Sequence, residues 1–130
     1  MDKNWYEFFE RDRFAYQNGM RLTHIEPGMA EAVMAIEDRH LNAANIVQGG
    51  AIFTLADYAF AAASNACGTF TLGVNCTINY FKSPKGRILY AKARRLSSGK
   101  KLCTYQVDIT DDEGEYIACY TAMGYIKSST

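Results

Sequence analysis

The sequence is poor in the features that mark membrane, secreted and metal-binding proteins. No uninterrupted apolar run of about 18 residues occurs, so no membrane span is expected. The four cysteines form no C-x-x-C pair and lie far in sequence from both histidines, which argues against a zinc site or any other bound metal. The charged, amphipathic start, MDKNWYEFFERDR, is unlike a signal peptide. These absences predict a cytoplasmic protein whose thiols are reduced and mostly buried.

A net charge is also lacking, because fourteen basic side chains balance fourteen acidic ones. We therefore expect no nucleic-acid partner. The charges are unevenly placed: residues 82–101 hold eight Lys or Arg and no acid, and residues 108–115 hold five acids and no base. Apolar residues make up 48% of the 130 positions, with nine Tyr, seven Phe and one Trp. This composition predicts one globular domain, residues 1–130, with a substantial core.

The first third of the chain predicts one short helix and two strands. Residues 4–16 place aromatic side chains at near-helical spacing between charged ones, and Asn18-Gly19 ends this amphipathic helix. Residues 20–26 and 30–37 are predicted strands, separated by the turn Pro27-Gly28. A polar connection leads from there to the next element.

A long apolar helix is predicted from Gly49 to about Asn65, with Gly68 closing it. Its Ala, Ile, Leu and Phe side chains occur on every side of the helical wheel. A helix that is apolar all round is normally buried, so we expect it in the centre of the domain.

The rest of the chain predicts β structure. Residues 70–81, 87–96, 102–110 and 115–126 alternate between apolar and polar side chains and are separated by turns. In the first of these strands the side chains expected to face inward are Leu72, Val74, Cys76, Ile78 and Tyr80. We predict an α+β fold in which a four-strand antiparallel meander joins the first two strands and curls around the long helix.

Asp57 is the only charged residue of this apolar helix. A lone buried carboxylate is costly unless a partner or solvent reaches it. Either a structural network or a catalytic role explains such an acid, and the residues around it do not choose between the two.

The helix start offers a second functional feature. Gln48 precedes Gly49 and Gly50, and bare amides at the positive end of a helix can polarise a carbonyl or hold an oxyanion; close loop packing is the structural alternative. Gly49 lies eight residues before Asp57, about 12 Å along the axis at roughly 1.5 Å per residue. One carbonyl cannot contact both groups of one chain. If both act on it, they come from two subunits of a dimer.

The motif N-x-x-N-x-x-Q-G-G-x-x-F-x-L-A-D-x-A-F-A, residues 42–61, resembles the signature of the phenylacetyl-CoA-type (PaaI-like) hotdog thioesterases. The resemblance continues through C-T-I-N-Y, residues 76–80, and S-P-x-G, residues 83–86, and covers roughly residues 20–126. It implies a hotdog fold, with a long central helix wrapped by a curved antiparallel sheet and a short N-terminal helix.

The resemblance also assigns roles to residues. It implies that the Gly49 amide polarises a thioester carbonyl and that Asp57 of the other subunit is the nucleophile or the general base for water. Asn42 corresponds to the Asn of the family's preceding loop, and Asn75 to a polar residue on the strand after the helix. Gln48 stands where the family usually has His; Gln can hydrogen-bond a carbonyl or water but cannot shuttle a proton.

Further residues are candidates for substrate contact. Gly50, Phe53 and Tyr58 are predicted near the acyl group, with core packing as the alternative for the two aromatic side chains. Coenzyme A carries a diphosphate and a 3′-phosphate, which basic side chains and a turn hydroxyl could bind; the alternative is a solvated strand face. The candidates for the phosphates are Lys82, Ser83, Lys85, Arg87 and Lys100.

The sequence therefore predicts an acyl-CoA thioesterase that acts on a small aromatic or a short- or medium-chain acyl group. It needs no cofactor beyond the coenzyme A of its substrate, and it forms a homodimer or a dimer of dimers. A non-catalytic protein that binds acyl-CoA or aromatic ligands is the alternative, motivated by Gln48. A hotdog dehydratase ranks last, because no His lies near the helix start. His24 and His40 are predicted on the surface or in loops, and Cys67 and Cys76 in the core.

Overall fold

The computed structural model describes residues 4–127. Along the chain it has two short helices, two strands, one long helix and four strands. Their bounds are α1 (Trp5–Phe9), α2 (Arg13–Gln17), β1 (Met20–Glu26), β2 (Met29–Ala35), α3 (Gly49–Asn65), β3 (Phe70–Tyr80), β4 (Ile88–Ser98), β5 (Leu102–Asp111) and β6 (Tyr116–Lys127). None of the helices in this described part is long and apolar enough to cross a membrane.

A single six-stranded antiparallel sheet wraps around α3, which confirms the expected α+β hotdog architecture. The strand order is β1-β2-β4-β5-β6-β3, and α3 contacts all six strands. The inner face of the sheet and the buried side of α3 share one core, whose largest fully buried side chains are Tyr105, Tyr120, Met20, Met34 and Leu55.

The predicted four-strand meander is wrong for its first strand. β3 pairs with β6 and forms an edge of the sheet, whereas β4 pairs with β2. Opposed alanines join β2 to β4, with Ala30 against Ala93 and Ala32 against Ala91. These small side chains, all buried, let the helix lie close to the sheet. The proline-containing link after β3 forms no tight hairpin and instead carries the chain across the sheet.

An irregularity in β3 reverses the expected orientation of its first half. The pairing with β6 shifts by one residue at Val74, and an extra residue moves the side chains before it to the other face. Leu72 and Val74, predicted to face inward, are 48% and 59% exposed. Beyond the shift, Cys76 and Ile78 are partly buried against the core as expected.

The predicted N-terminal helix is divided into two segments. Asp12 has an extended backbone (φ −72°, ψ 92°), and its carboxylate accepts a hydrogen bond from the Ala15 N–H, so it starts a new helix. The end of the segment was predicted correctly: α2 ends at Gln17 and Asn18 caps it. Gly19 follows with φ +82°, a conformation that favours glycine.

The acidic turn after β5 binds the backbone of the segment before β4. The buried Asp111 carboxylate accepts hydrogen bonds from the N–H groups of Lys85, Gly86, Glu113 and Glu115 at 2.9–3.0 Å. Burial by itself raises the pKa of Asp111, but the four donors outweigh it and hold this pKa below its usual range. The carboxylate thus ties two loops together in its charged form.

We expect Asp111→Asn to destabilise the protein by about 2 kcal/mol at neutral pH, because a carboxamide replaces a charged acceptor with one oxygen and one donor. The native pKa is lowered, so the carboxylate stabilises the fold above the ordinary Asp pKa, and this contribution is lost as the pH falls through the native value. The urea denaturation midpoints of the wild type and Asp111→Asn should therefore differ most at pH 7 and converge in acid. Glu113→Gln, which neutralises an exposed acid of the same turn, is the control. A difference between wild type and Asp111→Asn that does not depend on pH would contradict the role given to the charged carboxylate.

Candidate active site

Two backbone amides at the start of α3 are available to a ligand. Gln48, the N-cap, has an extended backbone and makes no side-chain capping bond. The first amides of a helix have no acceptor inside it, and within residues 4–127 no other group accepts from the N–H of Gly49 or Gly50. The positive end of a 17-residue helix therefore presents two donors of the kind that stabilise an oxyanion.

Contacts from the sheet and the loop hold this helix start in place. The Tyr80 hydroxyl donates a hydrogen bond to the Gly49 carbonyl at 2.8 Å, and a Cβ on Gly49 would lie 3.0 Å from the Tyr80 ring. The Gln48 N–H donates to the His40 carbonyl at 2.8 Å. Sequence reasoning did not find the role of Tyr80, whose ring is 47% exposed although an inward orientation was predicted. The available signal was a tyrosine closing the C-T-I-N-Y motif.

The long helix is not buried on every side, contrary to the prediction from its composition. One stripe of side chains spaced three or four residues apart is left partly uncovered, because a single curved sheet wraps only part of a helix. The stripe consists of Gly50, Thr54, Asp57, Ala61 and Asn65. Asp57 is thus half-buried at the edge of the core, where a second molecule or a substrate can reach its carboxylate.

Tyr120 of β6 is the hydrogen-bond partner of Asp57. Its hydroxyl donates to Asp57 Oδ1 at 2.6 Å, and Cys76 Sγ lies 3.3 Å from the same hydroxyl. Tyr120 is fully buried; burial first, and then the bond to Asp57, raises the pKa of this phenol. Sequence reasoning did not identify Tyr120. The only signal was an inward-facing phenol on a strand next to an acid-bearing helix.

The two features of α3 do not meet in one chain. Gly49 and Asp57 lie on the same straight helix, eight residues apart, which is about 12 Å along its axis. A carbonyl within hydrogen-bond distance of the Gly49 amide is therefore out of reach of Asp57 in that chain. The prediction of a site completed by another subunit is consistent with this geometry.

The loop before α3 is stabilised by its own polar side chains. Asn42 Oδ1 accepts hydrogen bonds from the N–H groups of Ala44 and Ile46, so it shapes the loop that leads to the helix start. His40 was predicted on the surface or in a loop; it lies in this connection but is only 3% exposed. Its Nδ1 accepts from the Glu37 N–H and its Nε2 donates to the Asn18 carbonyl. Both ring nitrogens are engaged, so His40 is structural.

Two cavities flank the helix start. The first, of about 250 Å³, lies beside Gln48, Gly50 and Thr54; Phe14, Met20 and Leu41 line it together with the polar Asn18, Arg39 and His40. The second, of about 320 Å³, opens next to Gly49 and Tyr80; Val47, Ile52, Phe81 and Pro84 line it together with Lys82 and Ser83. Each cavity thus offers both apolar and polar side chains beside the free amides.

The structure groups four of the five predicted phosphate-binding residues. Lys82, Ser83, Lys85 and Arg87 lie in the link between β3 and β4, and the first two line the cavity next to Gly49. Lys82 and Lys85 both pair with Glu115, at 2.6 and 3.6 Å. Lys100 lies in the turn after β4, at the opposite end of an 11-residue strand, and so stands apart from the others within the subunit.

Three other predicted contacts occupy different positions. Phe53 is partly buried and its ring meets the Tyr120 ring edge-on at 5.2 Å. Tyr58, predicted beside the substrate, is instead a core residue: it is 3% exposed, its hydroxyl donates to the Phe9 carbonyl, and burial raises its pKa to about 12. Asn75 is exposed and alternates with Cys76, so its side chain lies on the opposite face of β3 from Asp57.

The cysteines and His24 add no second centre. Cys103 is buried, Cys76 and Cys119 are partly buried, and all four thiols are free. Cys67 was predicted in the core but is exposed, because it follows the end of α3 and lies beside Arg95 on the surface. His24 is half-exposed and pairs with Glu26. In the described part of the chain, no cluster of His, Cys, Asp or Glu could hold a metal ion.

Comparison with known proteins identifies the family. Residues 44–118 match the model of the thioesterase superfamily. A putative esterase of Archaeoglobus fulgidus is 35% identical over 111 residues, which cover 85% of this chain and 72% of that one. The acyl-coenzyme A thioesterase PaaI of Escherichia coli is 29% identical over 124 residues, covering 95% of this chain and 89% of PaaI.

The solved structures agree with the sequence matches. The structure of the E. coli PaaI protein, from the phenylacetic acid degradation operon, superimposes with a TM-score of 0.91 at 26% identity and covers 98% of this chain and 93% of PaaI. A free oxyanion-type helix start, a reachable acid on the same helix and this fold all agree with the family match. The chain therefore belongs to the thioesterase superfamily and is a PaaI-like hotdog hydrolase of thioesters.

Proposed function

We propose that this protein hydrolyses a small aromatic or a short- or medium-chain acyl-CoA to the free acid and coenzyme A. Its similarity to E. coli PaaI, an acyl-coenzyme A thioesterase, supports the substrate class. The observation that carries the proposal is the partly uncovered carboxylate of Asp57 on the same helix as two unoccupied amide donors. The reaction needs no cofactor beyond the coenzyme A of the substrate.

The proposed reaction uses one group from each of two subunits. The Gly49 amide, aided by Gly50, donates to the thioester oxygen and stabilises the charge that develops there. Asp57 of the partner subunit either attacks the carbonyl carbon or removes a proton from the attacking water. The C–S bond then breaks, and the sulfur leaves as the free thiol after taking up a proton. If Asp57 is the nucleophile, an acyl-aspartate anhydride is left, and a water molecule hydrolyses it to the free acid and the Asp57 carboxylate. If Asp57 is the base, the attacking water supplies the hydroxyl of the acid and the proton for the thiol. Asn42 supports the loop, and Gln48 lies where it can hydrogen-bond the carbonyl or water.

The second subunit in this proposal is another copy of the chain, in a dimer or a dimer of dimers. β3 is an edge strand, and its exposed side chains include Phe70, Leu72 and Val74 at 48–59% exposure. Unpaired strand edges with apolar side chains associate readily. A partner at this edge would also approach the uncovered stripe of α3, where Asp57 lies.

The two cavities could receive two parts of the proposed substrate. The cavity beside Gln48, with Phe14, Met20 and Leu41 in its wall, is about 250 Å³, smaller than the roughly 300–1,000 Å³ of sites for drug-sized ligands, and its size favours a small acyl group. The cavity lined by Lys82 and Ser83 would receive phosphates of coenzyme A. Glu115 holds Lys82 and Lys85 in place there and would share them with a phosphate.

Thiol release over a panel of acyl-CoAs tests the proposal. The panel should include acetyl-, hexanoyl-, palmitoyl-, benzoyl- and phenylacetyl-CoA, with kcat/KM measured for each. We expect the highest kcat/KM for the small aryl and the short- or medium-chain acyl groups, because a longer acyl chain exceeds the cavity beside Gln48. Tight binding of these substrates without turnover would contradict the proposal and favour a ligand-binding protein in which Gln48 replaces a catalytic His.

A further inference from the structure

We propose that Tyr120 is a positioning residue that holds Asp57 Oδ1 and leaves Oδ2 to face the reacting carbonyl. This inference rests on the proposed function, since it assigns a role to a second residue of the same site. Neither the resemblance nor the relatives point to Tyr120. It follows from the contacts between β6 and the middle of α3.

The hydroxyl of Tyr120 is fixed before any substrate arrives. Tyr120 has no exposed surface, and its ring is packed edge-on by Phe53 at 5.2 Å and tilted against Phe60 at 6.3 Å. These contacts restrict the ring to one orientation. The hydroxyl therefore meets Asp57 Oδ1 at 2.6 Å from a rigid strand.

Only one carboxylate oxygen is used by this contact. A phenol has a single proton to donate, and a charged carboxylate is the stronger acceptor, so the proton goes to Asp57. The Cys76 thiol, 3.3 Å from the phenol oxygen, can then only donate to it. No other group within residues 4–127 hydrogen-bonds the Asp57 carboxylate. Oδ2 is thus left without a hydrogen-bond partner in this part of the chain, on a residue that is half-buried.

The phenol keeps its proton for this contact. Burial first, and then the bond to Asp57, raise the pKa of Tyr120, so the phenol stays a donor over the whole working range. Tyr120 thus orients the Asp57 carboxylate through one fixed hydrogen bond.

Other titratable groups face different neighbours. Besides Asp57, Cys76 of β3 is the titratable group that raises the pKa of Tyr120. On β5, the Tyr105 hydroxyl lies 3.7 Å from Cys67, near the end of α3.

The groups on the N-terminal flank and on β4 also lie away from Tyr120. Asp12 raises the pKa of Tyr58 and Arg21 lowers it, and the Tyr80 hydroxyl donates a hydrogen bond to the Gly49 carbonyl. On β4, Lys92 is exposed, as is Arg94.

Tyr120→Phe removes the donor and keeps the ring. We expect kcat to fall about tenfold, because the carboxylate is no longer held in one orientation. KM should change by less than about twofold, since the buried hydroxyl does not contact the substrate.

Tyr105→Phe is the matched control. It also removes a phenol that is buried and packed on Phe60, but one that faces Cys67 rather than Asp57. Thermal melts of both variants report any loss of packing. A lower kcat at nearly unchanged KM in Tyr120→Phe alone supports the inference; an unchanged kcat, or an equal fall in both variants, overturns it. Failure of the function itself is separate: the wild type would then release no thiol, or would do so equally well without the Asp57 carboxylate.

Discussion

Asp57→Asn should lower kcat by on the order of a thousandfold, within the range typical for loss of a single acid–base group, or by more if Asp57 is the nucleophile. The substitution keeps the size of the side chain and an oxygen that can accept from Tyr120. The fold and substrate binding should therefore persist, and KM should change little. The measurement is steady-state thiol release with the best acyl-CoA of the panel, at enzyme concentrations high enough to detect the residual rate.

Asp108→Asn is the matched control for this variant. Asp108 also accepts a hydrogen bond from a tyrosine hydroxyl, that of Tyr116, but it alternates with the buried Val107 and Ile109 and so lies on the outer face of the sheet. Its neutralisation should leave kcat unchanged. Equal turnover by wild type and Asp57→Asn would remove Asp57 from the mechanism.

Gly49→Pro should lower kcat about a hundredfold relative to Gly49→Ala, the cost typical of one lost oxyanion donor. Proline is well tolerated at the first position of a helix, and Gln48 already has the extended backbone (φ −66°, ψ 138°) that a residue before proline adopts. Both variants add the Cβ that approaches the Tyr80 ring at 3.0 Å. They differ in the Gly49 N–H and in the two further ring carbons of Pro. A lower kcat at unchanged KM in Gly49→Pro therefore assigns the loss to this amide, whereas a raised KM would indicate that the ring obstructs the substrate.

A mixed dimer of Asp57→Asn and Gly49→Pro subunits shows whether the two groups come from different chains. With a shared site, one of the two active sites would contain both defects and the other neither. The purified mixed dimer should then have about half the wild-type activity, although each homodimer is nearly inactive. A mixed dimer as inactive as its parents would place both groups in one chain.

Local patterns predicted most of the elements correctly. The helix from Gly49 to Asn65 and all six strands lie within a few residues of their predicted positions, because side-chain periodicity is set by the backbone of each segment alone. The two glycines at the helix start and the acid two turns later were also visible. The geometry of a helix terminus and the cost of a buried charge were enough to make them candidates for a site, whereas the roles proposed for them come from the family resemblance.

Long-range pairing could not be predicted in the same way. β3 has a clear strand pattern, but nothing in it says that its neighbour is β6 rather than β4, or that the shift at Val74 turns Leu72 outward. Asp12 interrupts the first helix because its side chain competes as a cap. The basic and acidic runs were noted separately, and only the fold brings Asp111 against the backbone of Lys85 and Gly86.

The sequence by itself determined that Asp57 stands in an apolar helix behind a glycine start, since residue identity and helical spacing are local properties. Only the tertiary structure decided what Asp57 faces. Residues 57 and 120 are 63 positions apart, and the hydrogen bond between them exists because β6 lies between β5 and β3 beneath the helix. The same strand order leaves β3 at the edge and one side of α3 uncovered. A half-buried carboxylate with one oxygen hydrogen-bonded to the sheet is therefore a product of the fold.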